Sequence, residues 1–138
     1  MPQIPTSING VTIEFSQTAN RNVDQKIINA LRQCIKPNIA KGFSLKKIYI
    51  SSANDSHVFP SRHVQGAGKA VDISRINGLK MSLHYKTSQT VKGITNAIQT
   101  RFESYVHRRE NFGPFFKKKL GKSHKVGGHS DHIHISVN

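Results

Sequence analysis

Apolar residues recur along this chain with two different periods. Val23, Ile27, Ile28, Leu31 and Ile35 fall three and four positions apart, the stripe of an amphipathic helix. Asn22, with Gln25 three residues later, reads as its N-cap and capping-box partner, and Pro37 closes it. A second stripe, Val91, Ile94, Ile98, Phe102 and Tyr105, predicts a longer helix that starts near Ser88 and stops at Gly113-Pro114. Both stripes read as core. Elsewhere the period drops to two. "KKIYISS" (46–52) places Ile48 and Ile50 on one face of a strand, and "KAVDIS" (69–74) reads as a second strand. An "ING" turn follows it, with "LKMSL" as a short hairpin partner, and "HIHISV" (132–137) is the last strand. This order is not a βαβ alternation. It predicts an α+β fold: one domain over 1–138, with a small, mostly antiparallel sheet flanked by helices.

Composition narrows the class. No apolar run approaches the roughly 18 residues of a membrane span, and no repeat or low-complexity segment interrupts the chain. "MPQIPTSING" lacks the basic and apolar regions of a signal peptide, so synthesis in a reducing cytoplasm is expected. The lone Cys34 sits between Leu31 and Ile35 and reads as a buried thiol. Net charge changes the picture more. Against 21 Lys and Arg stand 7 Asp and Glu, a formal charge of +14, which favours a polyanionic partner. The densest basic tract, "FFKKKLGKSHK" (115–125), opens with paired phenylalanines and reads as a solvated loop anchored to the core.

The candidate chemistry lies at strand ends. Alternation along "HIHISV" puts Ile133, Ile135 and Val137 on one face and His132, His134 and Ser136 on the other. Along "AVDIS", Asp72 faces away from Val71 and Ile73. If the two strands are neighbours, Asp72 and His134 converge. His63, in the Gly-rich loop "SRHVQGAGKAVD", can fold back toward them. Two imidazoles and a carboxylate with a fourth position open make a catalytic type of zinc site. His84, His107 and His124 read as surface residues.

"SRHVQGAGKAVDIS" followed by "DHIHIS" resembles the zinc peptidases of the D-Ala-D-Ala carboxypeptidase and L-alanyl-D-glutamate endopeptidase group, which includes phage endolysins and shares its fold with the hedgehog signalling domain. That group carries Ser-x-His-x-x-Gly-x-Ala-x-Asp, then an acidic residue three positions before a final His. Ser61, His63, Gly66, Ala70 and Asp72 match the first part with two extra residues inside it, and Asp131 and His134 match the second. The resemblance covers roughly 46–76 and 128–137. It implies a hedgehog/peptidase-type fold, zinc ligands His63, Asp72 and His134, and Asp131 as general base. His132 then helps to position substrate or the attacking water; in the rival assignment His132 is the base and Asp131 orients it. His129 is read as a loop residue with no direct part. No arginine stands between Ile48 and Pro60 to stabilise an oxyanion, and His57, Arg62 or Arg75 is the candidate substitute.

The implied partner is peptidoglycan, an anionic wall polymer, cut by a monomer without membrane insertion or nucleic acid. The enzyme would be made in the host cytoplasm and released at lysis or carried in a virion. Two other classes stay in view. A non-catalytic zinc or wall-binding module would need no base. A nuclease of the His-Asn-His type needs a helix after its catalytic histidine, and only "ISVN" follows His134.

Overall fold

Nine strands and three helices order residues 1–54 and 68–138, the residues described by the computed structural model. The chain opens with a hairpin of β1 (Ser7–Ile8) and β2 (Val11–Phe15). Its turn is Asn9-Gly10, with φ of 53° and 83°, the paired positive values a type I′ turn requires. After it come α1 (Gln25–Cys34), β3 (Lys47–Ser52), β4 (Ala70–Ile76), β5 (Leu79–Lys80), α2 (Met81–His84) and α3 (Gln89–Phe102). The chain ends with β6 (Arg108–Phe112), β7 (Lys117–Lys119), β8 (Lys122–Ser123) and β9 (Ile133–Val137).

The strands form one open sheet in the order β1-β2-β3-β4-β9-β6-β7-β8, with β5 paired to β4. Only β2–β3 is parallel among the described pairs. One face of the sheet is aliphatic: Ile48, Ile50, Val71, Ile73, Ile133 and Ile135 are all buried in one core, which α1 and α3 cover over β4 and β9. Each such side chain contributes about 1.5–3 kcal/mol of burial, so β4 and β9 are held from below. One sheet and its helices around a single core make an α+β domain. Among the described residues no helix is long and apolar enough to cross a membrane.

Several local expectations are corrected. The N-cap of α1 is Asp24, whose carboxylate accepts from the Lys26 amide at 2.9 Å. Asn22 cannot cap because it bridges Gln3 in an extended conformation, and the Val23 amide donates to Pro2. Ser88 does cap α3, accepting from the Val91 amide. That helix stops at Phe102, however, and Tyr105 lies beyond it, donating its hydroxyl to the Lys26 carbonyl at 2.9 Å. The segment read as its continuation, "RRENF", is β6. Its buried Asn111 is satisfied by the Gln99 carbonyl and the Glu103 carboxylate, and Gln99 in turn holds the Phe115 amide and the Phe116 carbonyl. Gly113 is required here, since a Cβ would collide with the Gln99 amide. The lysine tract is no loop: it folds as the β7–β8 hairpin. "LKMSL" pairs only through Leu79 and Lys80 and then becomes helical. Cys34 is fully buried, and burial pushes its thiol up to about 12.

Candidate functional site

The site grows from one register. β4 and β9 pair antiparallel with Asp72 directly opposite His134. Their aliphatic neighbours are locked into the core, so both polar side chains must emerge together on the outer face. The His134 Nδ1 lies 2.9 Å from the Asp72 carboxylate. The convergence expected from alternation is therefore present.

A third group was not foreseen. On the other side of the ring, His134 Nε2 lies 3.0 Å from the Glu110 carboxylate. The same oxygen accepts from the Ser136 hydroxyl at 2.8 Å, and the Glu110 amide donates to that hydroxyl oxygen at 3.0 Å. A register shift between Arg108 and Asn111 turns Glu110 toward β9. The only sequence signal was an acidic residue inside a basic run, and the helical reading of that run hid it.

The electrostatics follow from this enclosure. Burial opposes charge on His134, but the hydrogen bonds and charges of Asp72 and Glu110 outweigh it and raise its pKa to about 9 in the metal-free chain. Burial likewise opposes ionisation of Glu110, yet the His134 and Ser136 hydrogen bonds hold it down at about 2.

Rings enclose the outer side. Phe112 stacks on His134 with centroids 5.6 Å apart and on His124 at the same separation. His129, in the loop before β9, packs its ring 5.0 Å from His132 and 5.5 Å from His134. Gly128 and His129 both take positive φ, 73° and 64°, and so turn the chain into the cluster. His129 Nδ1 donates to the Gly127 carbonyl at 3.0 Å, and burial pushes its pKa down.

Asp131 lies in the bend before β9, as its parity requires. Its carboxylate accepts from His132 Nδ1 at 2.7 Å, and that hydrogen bond lowers its pKa. Asp131 is exposed and opens onto a cleft of about 460 Å³ whose far wall is Met81, Leu83, Tyr85 and Thr87. Arg75 stacks 4.1 Å over the Tyr49 ring. A β-bulge between β3 and β4 returns Ile76 to the core and leaves Arg75 outside.

His57, Arg62 and His63 lie outside the described residues. Among the described residues, no group of three or more His, Cys, Asp or Glu is arranged to hold a metal ion. The two described candidates nevertheless suit zinc. Two ligands of a tetrahedral zinc, each about 2.0–2.1 Å from it, stand about 3.3 Å apart. Asp72 and His134, at 2.9 Å, need to part by only a few tenths of an ångström. A carboxylate on the far nitrogen, as Glu110 provides, is the usual support of a metal-binding histidine.

Compared with family models, with curated proteins and with solved structures, the chain matches none.

Proposed function

We propose that this chain is a zinc-dependent peptidase that cuts the stem peptides of peptidoglycan, in the manner of a phage endolysin of the hedgehog/D-Ala-D-Ala-peptidase type. The observation that carries the reading is the Asp72–His134 pair, in register across β4–β9 and backed by Glu110. The resemblance of "SRHVQGAGKAVDIS" and "DHIHIS" to that group supplies the metal and the reaction.

In this reading His63, Asp72 and His134 hold zinc, through an imidazole, a carboxylate and an imidazole. Zinc, when bound, supplies a Lewis acid that polarises a peptide carbonyl and brings the pKa of water down to about 7. Glu110 keeps the Nε2 proton on His134, so that Nδ1 is the nitrogen left to bind, and binding releases the proton it carries in the metal-free chain. Asp131 and His132, hydrogen-bonded to each other, form the proton-accepting unit. They take a proton from the attacking water and return it to the leaving amine. The exposed cleft beside Asp131 gives a peptide room to reach them. The positive charge suits an anionic wall.

Mass spectrometry of peptidoglycan fragments before and after digestion tests the reading. Loss of one stem-peptide bond, dependent on zinc, is the expected result. Intact stem peptides with zinc-loaded protein would leave a binding module instead.

A further inference from the structure

Residues directly opposite each other in a sheet share a face. Register carries the site face outward, strand by strand. His134 opposes Phe112, Phe112 opposes Lys117, Glu110 opposes Lys119, and Lys119 opposes Lys122. Lys117, Lys119 and Lys122 therefore lie on the same face as Asp72 and His134. Lys118 opposes Asn111 and Ser123 on the other face, with its ammonium 4.8 Å over the Phe116 ring. The tract that reads as one block of charge is thus split by strand parity.

Lys119 stands opposite Glu110, and its charge helps to hold that carboxylate ionised. Among the described ion pairs none involves Lys117, Lys119 or Lys122. The Lys117 ammonium is committed to the Val126 carbonyl at 2.6 Å. Protection of a sheet edge explains a lysine on β8, but β7 is paired on both sides, so Lys119 guards no edge. Lys119 and Lys122, opposite each other, thus put two cations on the outer face of the sheet against the single carboxylate of Glu110.

Strand spacing sets their reach. At about 4.8 Å per strand, β7 and β8 stand about 10 and 14 Å from β9. An extended peptide covers about 3.3–3.6 Å per residue, so this span is about three to four residues. We infer that Lys119 and Lys122 receive a carboxylate of the peptide substrate, three to four residues from the bond that is cut. This rests on the peptidase reading and adds to it a direction for the substrate, across β9 and β6 toward the hairpin.

The test uses the zinc-loaded full chain and two soluble stem peptides that differ in one group, the distant carboxylate being free in one and amidated in the other. Their kcat/KM ratio is measured in the wild type, in Lys119→Gln with Lys122→Gln, and in Lys118→Gln, which removes one charge from the opposite face. A wild-type preference of about tenfold or more for the free carboxylate is expected, the size of one charge-assisted contact. That preference should fall toward unity in the Lys119/Lys122 variant and persist in Lys118→Gln, with zinc content and melting temperature unchanged in both. No preference in the wild type, or equal loss in the Lys118 variant, would overturn the assignment. So would a single-stranded oligonucleotide that binds more tightly than either peptide and is weakened alike by all three substitutions. Failure of the peptidase reading looks different: the wild type then cuts neither peptide.

Discussion

Two histidines two residues apart, His132 and His134, each meet a carboxylate through Nδ1, at 2.7 and 2.9 Å, yet their surroundings differ. The side chain of His134 is 10% exposed and has a second carboxylate on its far nitrogen. His132 is 25% exposed, and its partner Asp131 is 60% exposed. Burial strengthens the coupling of the first pair, which suits the ligand role proposed for it. Exposure leaves the second open to solvent, which suits the proton-accepting role proposed for it. In the proposed reading the same chemical motif takes two roles, ligand and base, divided by burial.

The largest effect should come from breaking the buried pair. His134→Ala or Asp72→Ala is expected to abolish zinc binding and all peptidase activity, read by metal analysis and by product formation. In the metal-free chain the same changes break the Asp72–His134 ion pair, at a cost of about 3–5 kcal/mol in urea unfolding. Zinc retained at wild-type stoichiometry in either variant would remove the site.

The exposed pair should fail differently. Asp131→Asn and His132→Ala are expected to keep zinc and fold while kcat falls by about 10²–10⁴, the span of a general acid–base group. If Asp131→Asn turns over near normally while His132→Ala is inactive, the base is His132 and Asp131 only orients it. Comparable losses in both mark a dyad acting as one unit.

pH separates the pairs further. The folded pKa of His134, about 9, lies above its ordinary value near 6.5. Its stabilising contribution is therefore complete below about pH 6.5 and is lost as pH rises through 9. A shift of that size corresponds to about 3 kcal/mol. Urea unfolding of the metal-free chain from pH 6 to 10 should show this decline. Zinc should flatten it, because the metal replaces the Nδ1 proton. A flat profile without metal would mean that His134 is not held as a cation.

Glu110 should give the smallest change. Glu110→Gln keeps the size of the side chain but removes the charge that supports His134. Zinc affinity is expected to fall by about 10–100-fold, as for other supporting carboxylates, with the fold intact by circular dichroism. Unchanged affinity, measured by competition with a chelator, would make Glu110 a structural partner alone.

The legible parts of this protein were those written in short-range period. Alternation along residues 69–74 and 132–137 determined which side of each strand carries Asp72 and His134, because a strand turns each successive side chain to the opposite face whatever surrounds it. Helical spacing located α1 and the start of α3, and Asn77-Gly78 announced the turn between β4 and β5, whose φ values are 53° and 81°. The rest depended on partners distant in sequence. "RRENF" has neither the alternation nor the composition of a strand. It becomes one because β9 and β7 offer hydrogen bonds on both sides and Gln99 and Glu103 satisfy Asn111. Glu110 could not be recognised until that strand existed, and the facing of Lys119 and Lys122 waited on the same pairing. Local sequence thus chose the residues of the candidate site. The tertiary structure decided which of them meet, because register between strands is set by the burial of a shared aliphatic face and not by any residue of the site itself.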